Sequence, residues 1–239
     1  MKTRLFFACV TLSVCITGIK DTACAQAGRF YSSGNELSNS LINQVFQDST
    51  GFVWVATENG LNRIDGHNLR KYHYIPGDSS SLKNNYVHCV YQDSEGTLWV
   101  GCLNGLQRYL PYSDSFEEIP LFVGDARVFP HIMQILETRN GDLWIATSGQ
   151  GCFVRPGTSG GRTRFYRRLT DSLDSDFLTT LYEDPKGNLW LSVREGSVWR
   201  YNNINGIIQK IPFPGEFDKP GEVPAFCTDK QGNVFLGSL

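Results

Sequence analysis

The chain has 239 residues, a formal charge of −2, 41% hydrophobic residues, 24 glycines and 13% aromatics. A charge so close to zero gives no electrostatic reason for a nucleic-acid partner, and the apolar content is enough for a packed core. Abundant glycine together with aromatics points to a turn-rich all-β protein rather than a helical one.

In chain order, the first element is a secretory signal, assigned to residues 1–25. Lys2 and Arg4 form a basic start, Leu5 to Ile19 is an apolar stretch of 15 residues, and Ala23-Cys24-Ala25 is a small-x-small cleavage site. The stretch is short for a membrane span, which needs ~20 residues, and Lys20 and Asp21 break it. A lipoprotein reading at Cys24 is disfavoured because Asp21 and Thr22 stand where an aliphatic residue is expected. The protein is therefore expected to be exported to the periplasm, and any membrane contact would run through segments outside this chain. Cys9, Cys15 and Cys24 lie in the signal. Cys89, Cys102, Cys152 and Cys227 show no CxxC spacing and read as small buried hydrophobes rather than disulfides or metal ligands.

From Val45 onward one pattern returns five times. Glycines 51, 96, 141, 187 and 232 recur at steps of 45, 45, 46 and 45 residues, and so do Trp54, Trp99, Trp144, Trp190 and Phe235. Each copy opens with a short apolar strand such as Val45-Phe46 or Val90-Tyr91. A tight turn follows in which Asp48, Asp93, Asp184 or Asp229 caps backbone N–H groups and the glycine takes positive φ. Thr138 stands in the Asp position of the third copy. The second strand, Val53 to Thr57 and its equivalents, is apolar throughout, as expected of a strand covered on both faces. It carries a small residue (Ala56, Gly101, Ala146, Ser192, Gly237) at a place of close approach to a neighbouring backbone. Asn59-Gly60 and Asn104-Gly105 then predict hairpins in which both residues accept positive φ. The third strand follows at Leu61 to Ile64 or Leu106 to Tyr109. A fourth lies near Leu69 to Tyr74, Phe116 to Ile119, Arg164 to Arg168 and Ile207 to Ile211.

Four short antiparallel strands per ~45 residues is the pattern of a β-propeller blade. A lone sheet cannot bury both faces; stacking blades about an axis does so and places each Trp between adjacent sheets. Burying ~200 Å² of indole contributes roughly 5 kcal/mol gross. The expected architecture is all-β, with repeats near 42–86, 87–131, 132–177 and 178–222 and a truncated fifth at 223–239. Together they make a partial β-propeller over 26–239. The remaining blades of the ring or a second protomer are the expected structural partners.

QDSTGFVWVATENGLNRIDG at 47–66 and YQDSEGTLWVGCLNGLQRY at 91–109 resemble the two-component regulator propeller repeat. The linkers Leu37 to Val45 and Tyr74 to Val87 are similar to the family as well. The likeness is weaker in the third and fourth copies, where Asn-Gly-Leu becomes Gly149-Gln150-Gly151-Cys152 or Glu195-Gly196-Ser197. The resemblance implies a periplasmic sensor of a hybrid two-component histidine kinase. Such a sensor recognises an oligosaccharide and relays the event allosterically to a kinase absent from this chain. The alternative is a stand-alone exported interaction or scaffold protein; a propeller hydrolase or lyase ranks below both.

The residues themselves offer no catalytic constellation, cofactor motif or metal cluster, so neither enzyme activity nor a cofactor is expected. His67, His73, His88 and His131 read as surface or turn histidines. The turn Asp residues recur once per copy and so cannot converge on one cleft as an acid–base pair. The turns also resemble sialidase Asp-boxes, with a different Asp-to-Gly spacing. Structural residues repeat, whereas a binding site is asymmetric. Candidate ligand contacts therefore come from the non-repeating loops: Tyr72, Tyr74, Arg127, His131, Arg164 and Tyr166, with His73, Phe129 and Arg162 beside them. Aromatic faces with Arg and His suit sugar stacking and hydroxyl recognition.

Overall fold

The computed structural model describes residues 36–66, 68–157, 166–168, 172–213 and 223–237, the third of these as backbone. The signal segment, His67, Arg162 and Arg164 lie outside the described residues. Four four-stranded antiparallel sheets, or blades, follow one another. Blade 1 is β1 (Ile42–Gln47), β2 (Val53–Thr57), β3 (Gly60–Ile64) and β4 (Leu69–Tyr72). Blade 2 is β5 (Val87–Gln92), β6 (Leu98–Cys102), β7 (Gly105–Leu110) and β8 (Ser115–Ile119). A hairpin that the repeat pattern does not predict, β9 (Leu121–Val123) and β10 (Ala126–Val128), is inserted next. Blade 3 is β11 (His131–Glu137), β12 (Leu143–Ser148), β13 (Cys152–Arg155) and β14 (Tyr166–Arg168). Blade 4 is β15 (Leu178–Glu183), β16 (Asn188–Val193), β17 (Val198–Asn202) and β18 (Ile208–Lys210). A two-stranded fifth unit follows as β19 (Ala225–Thr228) and β20 (Val234–Gly237). Strand order within each blade is sequential, and the first strands β1, β5, β11 and β15 pack against one another in turn. This is the all-β propeller arrangement the repeat predicts, with the first strand of each blade innermost.

The turn between the first and second strands is built as its composition requires. Asp48 Oδ1 accepts the N–H of Thr50 and Phe52, both at 3.0 Å, and Gly51 takes φ +94°. The other carboxylate oxygen reaches the indole six residues on: Trp54, Trp99 and Trp190 donate Nε1–H to Asp48, Asp93 and Asp184 at 2.8–2.9 Å. The Asp thus caps the turn and satisfies a buried indole. At the next turn the central residues are Glu58 and Asn59, with Thr57 paired to Gly60. Only the glycines are at positive φ (Gly60 +118°, Gly105 +138°), so Asn59 and Asn104 do not take the conformation expected of them. Glycine is required at 60 for a second reason, since a Cβ there would lie 2.7 Å from the Tyr72 carbonyl oxygen.

Between blades, one contact is repeated with changing chemistry. The Trp54 ring meets Tyr109 at 5.0 Å, the Arg155 guanidinium lies 5.2 Å over Trp99, and Trp144 meets Tyr201 at 5.2 Å. Each Trp is therefore covered by the third strand of the following blade, and Trp54, Trp99 and Trp144 are at most 1% exposed. Trp190 and Phe235 depart from the expected core assignment. Trp190 is only partly buried and Phe235 is 53% exposed. The unit after Trp190 has, among the described residues, no third strand to cover it. The small-residue position also differs from expectation. A Cβ on Gly101 would meet the side chains of Cys89 (2.5 Å) and Ile132 (2.7 Å), so side chains rather than backbone make the close approach.

A second inter-blade bond joins the turns. The N–H after each turn Asp or Thr donates to the next blade: Ser49 to Gln92, Ser94 to Glu137 and Arg139 to Glu183. In the fourth copy Pro185 has no N–H, and the aligned acceptor position holds Thr228, which bonds the Tyr182 hydroxyl instead. Cys89, Cys102 and Cys152 are buried thiols; burial pushes all three up, Cys102 and Cys152 to about 12. Cys227 is exposed, against the expectation of four buried thiols.

Candidate functional site

We call upper the face that carries the second-to-third strand turns. There the first strands begin, those of blades 2, 3 and 4 with a buried apolar residue: Val87, Ile132 and Leu178 are at most 1% exposed, whereas the equivalent Ile42 of blade 1 is exposed. The residue just before it changes from copy to copy: Leu41, Tyr86, His131, Phe177. Each first strand has a register shift, which skips Asn43, His88, Met133 and Thr179 in turn. A bulge of this kind re-aims one side chain out of the ladder. In blade 2 it places His88 beside its neighbours: the His88 and His131 rings are 5.1 Å apart and perpendicular, and the Tyr86 ring is 5.6 Å from His131. The Asn43 amide and the Glu58 carboxylate of blade 1 both act on the Tyr86 hydroxyl. On the other side Arg194 lies 5.3 Å over the Phe177 ring, and its charge acts on His131. Four consecutive blades thus contribute to one arc, from Glu58 through Tyr86, His88 and His131 to Phe177 and Arg194.

The electrostatics follow from half-burial. His131 is held down to about 4 by burial, then by the neighbouring imidazole of His88 and by Arg194; burial lowers His88 also. Both rings are neutral at pH 7, and each offers one donor and one acceptor nitrogen. His88 Nδ1 and His131 Nε2 are buried atoms without a partner. Tyr86 is raised by burial and by the Glu58 carboxylate, which keeps its hydroxyl protonated. The expectation that His88 and His131 are surface or turn histidines is therefore corrected: both sit on first strands and face each other, half-buried.

The other candidates separate. Tyr72 is 8% exposed, lies 5.9 Å from Trp54 and donates its hydroxyl to Asp114 at 2.6 Å, which makes it a core residue. Tyr74 is 46% exposed and lines a shallow groove with Lys83 and Glu118; Arg127 pairs with the same Glu118 at 2.8 Å and covers Phe129. Those two are brought together, at a place apart from the His131 arc. His73 packs beside Gly60, and the Tyr166 side chain lies outside the described residues. Tyr86, His88, Phe177, Arg194 and Glu58 were missed. Aligning the copies and asking which positions change type beside the recurring apolar residue at 42, 87, 132 and 178 finds Tyr86, His88 and Phe177; Glu58 and Arg194 share one aligned position of their own.

With blade geometry, turn chemistry and Trp packing established, comparison with known proteins identifies the repeat. The two component regulator propeller pattern matches residues 36–59, 81–104, 129–149 and 172–195, one match per blade. The chain thus carries four copies of the two-component regulator propeller repeat. A histidine kinase of Formosa agariphila is 44% identical over 45 residues, 19% of this chain and 3% of the kinase. Among solved structures, the extracellular domain of a putative hybrid two component system of B. thetaiotaomicron superposes with a TM-score of 0.73. It is 23% identical, over 88% of this chain and 29% of that one. A second such domain from the same organism gives 0.70 at 22% identity, over 83% of this chain and 28% of that chain. The chain therefore spans under a third of the length of those domains.

Proposed function

We propose that this propeller is an exported, periplasmic ligand-sensing module of a hybrid two-component histidine kinase. In this reading it recognises an oligosaccharide at the upper arc, and the kinase lies outside the chain. The observation that carries the reading is that the repeat loses its regularity at one place shared by four blades, and fills it with Tyr86, His88, His131, Phe177 and Arg194. Neutral imidazoles with free nitrogens match the donor–acceptor character of sugar hydroxyls, and aromatic rings offer stacking faces. Coupling to a kinase requires the ligand to favour one arrangement of domains over another. Titration calorimetry of the full chain with a panel of oligosaccharides tests the reading. A binder should lose at least tenfold in affinity in Tyr86→Ala or His131→Ala and be unaffected by Arg127→Ala. Equal loss in all three, or no binder in the panel, refutes the assignment.

An exposed apolar face on blade 1 supports a structural partner, either further blades or a second protomer. Ile42 and Val45 are 42% and 60% exposed, beside a hollow of about 380 Å³ also lined by Leu37 and Val53. Sedimentation of the full chain distinguishes the two: a concentration-dependent dimer favours the protomer.

A further inference from the structure

Two rows of residues run side by side along the upper face, one at the start of each first strand and one at the end of each second strand. The first row is Leu41, Tyr86, His131 and Phe177; the second is Glu58, Leu103, Ser148 and Arg194. The same backbone contact ties the rows together in every blade. The N–H of Glu58 donates to the Leu41 carbonyl at 3.1 Å, that of Leu103 to Tyr86 at 3.0 Å and that of Arg194 to Phe177 at 2.9 Å, while Ser148 pairs with His131 in the ladder. Because the backbone is alike, what differs from blade to blade is the side chain. Along the second row the side chains run from a carboxylate in blade 1, through an apolar residue and a hydroxyl, to a guanidinium in blade 4. The arc therefore has an acidic end and a basic end.

The two ends are not equivalent. The Glu58 carboxylate is engaged within the protein, where it acts on the Tyr86 hydroxyl. The Arg194 guanidinium has no such counterpart. Arg63, Arg70, Arg108, Arg127, Arg139 and Arg155 each lie within 3.9 Å of a carboxylate, and among the described residues no carboxylate comes that close to Arg194. Its face is held against the Phe177 ring at 5.3 Å, which fixes it at the arc and leaves the N–H groups of its edge for another acceptor. Ser148 is paired in the backbone with both His131 and Phe177, so blades 3 and 4 meet at this point. The charge of Arg194 acts on His131, whose Nε2 is a buried atom with no partner. An unpaired cation and an unpartnered imidazole nitrogen thus belong to one junction.

We propose that the junction of blades 3 and 4 is a carboxylate subsite, and that the oligosaccharide bound at the upper arc is an acidic one whose uronate group is held by Arg194 and His131. The inference rests on the arc being the ligand site, and it gives that site a direction: the uronate toward Phe177, uncharged sugar hydroxyls toward Tyr86. A carboxylate matches the planar fork of a guanidinium with two parallel N–H···O bonds, and such charge-assisted bonds are roughly twice as strong as neutral ones. In its Nε2–H tautomer, neutral His131 donates a further bond. At the opposite end Glu58 repels a carboxylate, which disfavours the same ligand bound in reverse.

The full chain is titrated with D-galacturonate and D-glucuronate, each beside its methyl ester as the uncharged counterpart, while the imidazole resonances of His88 and His131 are followed. Saturable movement of both rings is expected, with an acid bound at least tenfold tighter than its ester. Arg194→Gln should bring that ratio to about one, and Arg194→Lys, which keeps the charge and loses the fork, should retain part of it. The His131 ring should also titrate at higher pH with the acid bound than with the ester, because a carboxylate favours the imidazolium. The titratable and charged groups otherwise around it, His88 and Tyr86 of blade 2 and Arg194 of blade 4, are common to both complexes. Equal affinity for acid and ester, a comparison that needs no variant, overturns the carboxylate subsite; if both rings still move, the arc stands as the ligand site. An undiminished preference for the acid in a folded Arg194→Gln overturns the subsite as well. If none of the four sugars moves either ring at about 50 mM, a range that detects even weak binding, the arc is refuted as the site and the subsite falls with it.

Discussion

Trp144 is the one indole of its series with a buried Nε1 that has no partner, although its side chain is fully enclosed. The cause is local. Thr138 occupies the Asp position and turns its hydroxyl to Asn140 Oδ1 (2.6 Å) and the Asp142 carbonyl (3.0 Å), so it offers nothing to the indole. A buried donor left unsatisfied costs about 1–3 kcal/mol. Thr138→Asp alone supplies the acceptor but sets a second carboxylate beside Asp142, at the position where Asn188 and Asn233 donate to their turn Asp. Like charges at that distance cancel much of the gain. The double variant Thr138→Asp/Asp142→Asn rebuilds the turn of the fourth and fifth copies in full. Its amide oxygen can keep the bond that Asp142 now accepts from the Gly157 N–H at 2.9 Å. We expect the double variant to be more stable by about 1–2 kcal/mol, a rise of roughly 2–8 °C in thermal midpoint for a domain of this size. The single variant should gain less, with a coupling of about 1 kcal/mol between the sites in a double-mutant cycle. Urea melts with an unchanged slope give the energies, and hydrogen exchange of the Trp144 indole gives the mechanism. A double variant no more stable than the parent, or a stabilised one whose indole exchanges as fast as before, would refute the reasoning.

Three further outcomes follow from the same bonds. Asp93→Ala removes the partner of both Trp99 and the nearly buried Arg155, whose side chain is 11% exposed, and should cost about 3–5 kcal/mol in a urea melt; Asp229→Ala, on an exposed turn, should cost much less. Tyr72→Phe should destabilise by about 1.5 kcal/mol through the lost bond to Asp114, yet leave binding at the upper arc unchanged in calorimetry. The depressed His131 gives a pH dependence whose sign is fixed: the unfolded chain takes up a proton near pH 6.5 and the folded chain only near 4. Stability is therefore complete above 6.5 and falls on acidification between the two, by about 1–2 kcal/mol after allowance for partial exposure. His131→Gln should flatten that part of the curve of thermal midpoint against pH, and an unchanged curve would show that the imidazole pair does not carry the dependence.

The repeat was readable because each blade solves the same physical problem with the same residues. An Asp must cap the turn and meet an indole, a glycine must take positive φ, and a small residue must admit the next blade. Those demands are local, so they survive as spacing. What stayed hidden depends on contacts across blades. The Tyr109, Arg155 and Tyr201 position holds unlike residues for one task, covering the preceding Trp, and no composition rule links a phenol to a guanidinium. Tyr72 looked like a loop aromatic because its partner Asp114 lies 42 residues away, in the β7–β8 turn, where it is the one non-glycine residue at positive φ among the described residues. The His88–His131 pair was invisible for the same reason and for another: a bulge, which no sequence signal marked, turns His88 out of its ladder. Regularity in this fold thus records what holds a blade together, and its exceptions record what one blade does to the next. The exceptions at Thr138 and His88 are accordingly two different statements: a flaw in a turn, and a side chain turned out of its ladder to meet the next blade.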